Sequence, residues 1–332
     1  MLSPLADESA LLSRLQALVL EGRYREVIDS IHALPSGLAE DRAPLALLAA
    51  EAYGRVGEFE AAVRWAARGL DLAQRRLDTP AELRAVHYQG AIAWQRGSVE
   101  EAETHFQRAL ELARGLNDVA AEARAFNNLG ILRNLLGLPG EALANYQLAL
   151  ASYQQHGNVR GMSETNTNME ICWLALGNPV RARAAADEAV RLAREVGDPT
   201  LIGLALVARA EASLAMGDPA LADAELQRAE EAYGSVRFAA GIPELRRLQA
   251  AVARARKDPE AARRLLEQAR DLAPGAASLD TLAEIERDLG DTLATLGDAA
   301  GALAARERAL ALFRRLGARH AEQALAALLA PG

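Results

Sequence analysis

Apolar residues recur along most of this chain at spacings of three and four, which is typical of amphipathic α-helices. Leu143, Tyr146 and Leu150 follow this spacing and would share one helix face. Short breaks interrupt the pattern at regular intervals, and several contain a capping residue before proline, as in Asp218-Pro219. The pattern therefore predicts helices joined in pairs by tight turns, with no strands.

The breaks return with a period of forty residues. Lys257 stands at one turn position, and the other turn positions are Gly57, Gly97, Gly137, Gly177, Gly217 and Gly297. An alanine follows each of them by five residues, at Ala62, Ala102, Ala142, Ala182, Ala222, Ala262 and Ala302. Glycine past the end of a helix supplies left-handed backbone. The alanine column indicates sites where two helix backbones approach too closely for a larger side chain.

The period divides the chain into helix-turn-helix units. We predict units at 8–40, 41–78, 79–117, 118–157, 158–197, 198–236, 237–274 and 278–317. A last helix over 318–330 would cover the apolar face of the final unit, which has no following neighbour. The expected fold is all-α: one right-handed superhelical solenoid over 1–332, with about eight repeats and a C-terminal capping helix.

The residues of the fourth unit carry a family resemblance. Asn128-Leu129-Gly130, then Gly137, Ala142, Tyr146 and Ala149, resemble the tetratricopeptide repeat. The forty-residue length resembles the repeat domains of bacterial peptide-sensing regulators, sugar-responsive regulators and polarity adaptors. This resemblance implies protein–protein interaction, with a peptide or protein segment bound in a concave groove that is lined by the first helix of each repeat.

Charge and composition narrow the function classes. The net charge of −8 and the pI near 5.4 disfavour direct binding to nucleic acid or to an anionic membrane, because both require a basic surface. The only cysteine is Cys172, so the chain cannot form an internal disulfide, which fits a reducing compartment. The first residues lack the features of a signal peptide, and no apolar run is long enough to span a membrane. We expect a cytoplasmic location.

No catalytic or cofactor motif stands out. The histidines are dispersed, at His32, His87, His105, His156 and His320, and none pairs with cysteine or glutamate at metal-ligand spacing. Phosphate-binding loops, dinucleotide fingerprints and nucleophile elbows are absent from the sequence. Cys172 lies in an apolar helical stretch, where a buried, inert thiol is expected. The sequence therefore predicts a protein that is not an enzyme and uses no cofactor or metal.

The candidate site lies on the groove-facing side of the first helices of units three to five. It consists of Arg84, His87, Tyr88, Arg124, Asn127, Asn128, Asn134 and Asn168. Asparagine amides can bind the backbone of an extended peptide through one acceptor and two donors. Two arginines can hold a carboxylate. An alternative interpretation is that the asparagines solvate the groove or bridge neighbouring repeats.

Two further features and three functions stay open. Glu170 departs from a column of small residues, and the charged side chains of the last two units are expected to form a solvated face. The leading hypothesis is a non-catalytic scaffold that binds a protein or peptide. The alternatives are a ligand- or peptide-responsive sensor that acts on a separate effector protein, and a structural accessory subunit. A homo-oligomer is possible in each case.

Overall fold

The computed structural model describes residues 4–20, 22–35, 37–236, 238–276 and 279–329. These residues form seventeen α-helices and a short 3-10 helix, Ala239–Gly241, with no strand among them. The all-α solenoid prediction is confirmed. None of the described helices is both long enough and apolar enough to cross a membrane. The helices are α1 Pro4–Leu20, α2 Tyr24–His32, α3 Ala43–Arg55, α4 Phe59–Arg75, α5 Thr79–Gln95, α6 Val99–Leu116, α7 Val119–Leu135, α8 Pro139–Gln155, α9 Val159–Ala175, α10 Pro179–Val196, α11 Pro199–Ala215, α12 Pro219–Val236, α13 Ile242–Ala255, α14 Pro259–Ala276, α15 Leu279–Thr295, α16 Ala299–Leu316 and α17 Arg319–Leu329.

The predicted turns have the backbone that the sequence pattern requires. All six turn glycines have a positive φ, and Lys257 has a φ of 63° at the equivalent position. The following helix is capped by a side chain in several repeats: Asn178 Oδ1 accepts from the Arg181 N–H at 3.1 Å, and Asp298 Oδ1 accepts from the Gly301 N–H at 2.9 Å. Turn and cap together set the reversal between the two helices of a repeat.

The alanine column lies in the interior, as predicted. Six of its seven members have no exposed surface, and Ala302 is 2% exposed. Glycine is also required where an aromatic side chain of the second helix packs against the first helix of the same repeat. A Cβ added to Gly130 would stand 2.5 Å from Tyr146 Cε1, so the aromatic ring of α8 fills the space that a side chain on α7 would need.

The helices group into two compact units, Met1–Ala125 and Phe126–Gly332. In the first unit, α3, α4, α5 and α6 pack in sequence, and α3 also contacts α5 directly. In the second unit each helix from α8 to α17 packs on the next. The odd-numbered helices of this unit also contact one another, α9 with α11, α11 with α13, and α13 with α15. They form its inner layer.

The C-terminal helix closes the second unit. The capping helix predicted over 318–330 is observed as α17, and its residue Leu325 is buried with Phe313 and Leu316 of α16. Leu135, at the end of α7, packs against the same cluster. The single domain over 1–332 and the unit boundaries stay predictions, and boundary residues 237, 278 and 330 lie outside the described residues.

Candidate functional site

The eight predicted site residues all lie on odd-numbered helices, α5, α7 and α9. They fall into both compact units, so each set is described by itself. The first unit contains Arg84, His87, Tyr88 and Arg124, and the second contains Asn127, Asn128, Asn134 and Asn168.

In the first unit, His87 and Tyr88 are held by their neighbours. The Tyr88 hydroxyl donates to Glu51 Oε2 at 2.5 Å and so links α5 to α3. The His87 ring packs 5.9 Å from the Phe106 ring. Burial, together with the positive charges of Arg124 and Arg55, lowers the pKa of His87 to about 4. His87 is therefore neutral at physiological pH and supplies no charge for an anionic ligand.

Arg84 and Arg124 have the properties of a binding pair. Both side chains are exposed, and neither makes a hydrogen bond or ion pair with the described part of the chain. They occupy the same position of consecutive repeats, since forty residues separate them. The charge of Arg84 lowers the pKa of Tyr88 and the charge of Arg124 lowers that of His87, so each arginine lies within electrostatic range of one of these rings. The first unit thus presents two cations that have no carboxylate partner within the described ranges.

In the second unit, three of the four asparagines bridge neighbouring repeats. Asn127 Oδ1 accepts from both Thr165 Oγ1 and Asn168 Nδ2, each at 3.2 Å. Asn134 Oδ1 accepts from the Cys172 thiol at 3.5 Å. These contacts favour the bridging interpretation that the sequence left open, because the same atoms are no longer free for a peptide. Asn128 is half-buried and makes no such bridge among the described residues.

The strongest polar centre of the second unit lies on α11, α13 and α15. We call it the Arg247 centre, and it comprises Arg247, Glu211, Glu244 and Asp288. The buried Arg247 guanidinium donates to Glu244 Oε1 at 2.6 Å and to Glu211 Oε1 at 3.0 Å, and lies 3.3 Å from Asp288 Oδ2. The prediction that this charged face is solvated is wrong, because Arg247 and Asp288 are both buried.

Two more arginines share the same aspartate. Arg254 Nη2 lies 3.3 Å from Asp288 Oδ2, and Arg287 Nη2 lies 3.1 Å from Asp288 Oδ1. Burial works against ionisation of Asp288, but the positive charges of Arg247, Arg287 and Arg254 outweigh it and hold the pKa below its usual range. Asp288 is therefore a charged, fully partnered group.

Glu170, on α9, has no such partners. Its side chain is completely buried, and neither carboxyl oxygen has a hydrogen-bond partner among the residues that the structure describes. Burial raises its pKa well above the usual value, and the charges of Glu211 and Glu244 raise it further. Sequence reasoning noted this residue only as a departure from a small column. The spacing offered a second signal, because Ala186 stands where most of the other repeats carry a larger side chain, such as Tyr146.

Comparison with known proteins supports the repeat assignment. Residues 81–155 match the family model described as Tetratricopeptide repeat. No curated protein sequence matches the chain.

Solved structures show the same fold at low sequence identity. A Rap protein complexed with Competence and Sporulation Factor is similar over 98% of this chain and 97% of its own, with 13% identity and a TM-score of 0.60. NprR in complex with its cognate peptide NprX is similar over 97% of this chain and 99% of its own, with 13% identity and a TM-score of 0.61. Aspartyl phosphate phosphatase F from Bacillus subtilis is similar over 96% of this chain and 89% of its own, with 13% identity and a TM-score of 0.57.

These identities are too low to transfer a function, and the likeness concerns the fold. The predicted resemblance is confirmed: residues 81–155 match the tetratricopeptide repeat, and the helices of the chain adopt the fold of tetratricopeptide-repeat solenoids.

Proposed function

We propose that this protein is a non-catalytic scaffold that binds an extended peptide or protein segment along its odd-numbered helices. The observation that carries the proposal is the pair Arg84 and Arg124, two exposed guanidinium groups at equivalent positions, with no carboxylate partner among the described residues. Most other arginines of groove-facing helices, such as Arg247, are already paired within the protein. Unpaired cations in such a series favour recognition of an anionic group.

The chemistry of this pair fits a carboxylate. A guanidinium can hold a carboxylate through two parallel hydrogen bonds, which fixes the orientation of the ligand as well as its charge. The neutral His87 ring and the Tyr88 ring beside the arginines offer apolar contact area. A ligand that ends in a free carboxyl group, or carries an acidic side chain, would satisfy both features.

The structural relatives support the class of ligand. The similar Rap protein is complexed with Competence and Sporulation Factor, and the similar NprR is in complex with its cognate peptide NprX. In this chain the asparagine bridges leave fewer amides for a ligand backbone than the sequence predicts, since Asn127, Asn134 and Asn168 are engaged. Asn128 stays a candidate contact. The arginine pair therefore carries more of the proposed recognition than the asparagines.

The proposal is tested with a pool of N-acetylated hexapeptides, prepared with either a free carboxyl terminus or a carboxamide. We expect the protein to enrich peptides from the free-acid pool, and to bind the carboxamide of an enriched peptide about tenfold more weakly. Replacing Arg84 and Arg124 by Gln should abolish this difference. Arg64, an exposed arginine of α4, provides the matched control Arg64→Gln.

The outcomes separate the hypotheses. Enrichment that is unchanged in the Arg84→Gln/Arg124→Gln variant would show that the pair does not bind ligand. A sensor differs from a scaffold in one measurable respect: ligand binding changes its affinity for a separate effector protein. Captured partners should therefore be compared with and without the enriched peptide, and a change in the captured set would favour the sensor.

A further inference from the structure

Burial of the Glu170 side chain carries a free-energy cost that none of its described neighbours offsets by a hydrogen bond. A buried carboxyl group loses its hydrogen bonds to water, and without partners in the protein this loss is not compensated. The other odd helices of the solenoid carry alanine or glycine at this position, as at Ala210 and Ala250, and would avoid that cost. Ala186 leaves room for the longer side chain on α9. A buried, unsatisfied acid at such a place calls for a group that completes it.

The surroundings of Glu170 contain more carboxylates than cations. Glu170 is close enough to Glu211, Glu244 and Arg247 for their charges to shift its ionisation. The wider set has five carboxyl groups and three guanidinium groups. All three guanidinium groups form ion pairs with Asp288. The set consists of Glu170, Glu211, Glu244, Glu284 and Asp288 with Arg247, Arg254 and Arg287. The set therefore contains two more carboxyl groups than guanidinium groups.

The edge of this cluster is open to a ligand. The Glu211 side chain is 30% exposed and that of Glu244 is 29% exposed, although both bind Arg247 with one face. Ile171, adjacent to Glu170, is 44% exposed, and Leu204 on the next odd helix is 39% exposed. A ligand on this side of the second unit would meet two accessible carboxylates, those of Glu211 and Glu244.

We propose that Glu170, together with Glu211 and Glu244, forms a subsite for a cationic group of the ligand, an ammonium or guanidinium. The inference rests on the proposed function, since it names one feature of the segment that the protein would bind. A cation satisfies what Glu170 lacks: it donates hydrogen bonds to the orphaned oxygens and compensates the excess of carboxylates. An anion or an apolar group would leave both deficits in place.

Binding at this subsite exchanges a proton for the ligand cation. Burial and the charges of Glu211 and Glu244 raise the pKa of Glu170, which favours its protonated form in the free protein. The incoming cation keeps its own protons, so the carboxyl proton of Glu170 leaves to solvent and an ion pair forms. Helix α10 contributes buried alanines to this region, among them Ala182 and Ala186. The charged groups that act on Glu170 are Glu211 on α11 and Glu244 and Arg247 on α13, and Glu170 in turn raises the pKa of the Cys172 thiol on α9.

The test uses the N-acetylated hexapeptides with a free carboxyl terminus, each made with arginine or with citrulline at one varied position. Citrulline has almost the same shape as arginine and carries no charge. We expect the arginine form of an enriched peptide to bind about tenfold more tightly than its citrulline form. Calorimetry in two buffers of different ionisation enthalpy should show proton release on binding of the arginine form at neutral pH.

Variants place this effect at the subsite. Glu170→Gln keeps the size and neutrality of the protonated acid, and should lose both the arginine preference and the proton release. Glu211→Gln, at the exposed edge, should reduce the preference and gives a second readout if the buried variant folds poorly. Glu231→Gln, on the exposed face of α12, is the matched control and should behave as wild type.

Two negative results have different meanings. Peptides that bind with equal affinity in both forms, or a Glu170→Gln variant that retains the preference and the proton release, would overturn the subsite and leave the scaffold function standing. Absence of binding by any peptide of either pool would overturn both proposals.

Discussion

At the scale of the residue, Lys257 shows what a turn between two helices demands of the backbone. It adopts a φ of 63°, a left-handed conformation. Glycine occupies the six equivalent turn positions of the forty-residue period. A side chain in this region costs about 1–2 kcal/mol relative to glycine. The sequence predicts this site well, because the forty-residue period marks Lys257 as the exception.

Lys257→Gly is therefore expected to stabilise the protein. Relief of the backbone strain should exceed the entropy that glycine adds to the unfolded chain, for a net gain of roughly 0.5–1 kcal/mol. Gly217→Ala is the converse change: its φ is 81°, and nothing lies within 4 Å of the added Cβ, so only the backbone responds. Chemical denaturation measures both. A Lys257→Gly variant less stable than wild type would contradict this account.

Buried carboxyl groups make stability depend on pH in a defined direction. Burial, assisted by the charges of Asp288 and Glu244, raises the pKa of Glu284 from 4.5 to about 7, against the opposing charges of Arg287 and Arg247. The folded state thus holds this proton more tightly than the unfolded state. The stability contributed by Glu284 is complete below pH 4.5 and is lost as the pH rises to about 7.

Glu284→Gln should remove this loss. The difference in unfolding free energy, variant minus wild type, is expected to grow between pH 4.5 and about 7 and then to level off. Denaturant unfolding across this range measures it, with Glu231→Gln as the control. A difference that is constant or falls with rising pH would show that the carboxyl group is not desolvated in the folded state.

At the scale of the element, periodicity predicts the helices and their contact faces. The small columns depend only on spacing, so Ala142 and its equivalents could be placed in the interior from the sequence. The partners of polar side chains could not. Whether Asn127 faces a ligand or bonds to Asn168 depends on side-chain geometry between repeats, which no spacing rule reveals. The burial of Arg247 escaped prediction for the same reason.

The close approach of helices at the alanine column is tested by overpacking. Ala142 has no exposed surface, whereas Ala144 on the same helix is exposed. Replacing Ala142 by Leu should cost about 1–3 kcal/mol of unfolding free energy, because the added methylenes force the helices apart. Ala144→Leu should cost much less. Equal losses in thermal or chemical denaturation would mean that the helix register is wrong.

At the scale of the whole molecule, the second unit depends on contacts far apart in sequence. A Cβ added to Gly137, in the turn after α7, would stand 2.7 Å from the Cβ of His320 on α17. The C-terminal helix therefore lies against a turn that precedes it by more than four repeats. The sequence predicts α17 as a cap for the last repeat only, because a return contact of this kind leaves no trace in the repeat pattern.

This contact makes one turn glycine less replaceable than the others. Gly137→Ala and Gly217→Ala introduce the same backbone strain, at φ values of 76° and 81°. Only the former also meets α17, so it should destabilise the protein by more, with a difference of about 1–3 kcal/mol. Removing α17 should erase the difference. Equal effects of the two alanines in the full chain would contradict the contact.

The central claim is that the odd-numbered helices bind an extended segment. Hydrogen–deuterium exchange, measured with and without an enriched free-acid hexapeptide, tests it most directly. We expect slower exchange on α5 around Arg84 and on the part of α7 around Arg124, with the even-numbered helices α4 and α6 unchanged. Slower exchange confined to even-numbered helices, with none on the odd-numbered ones, would contradict it.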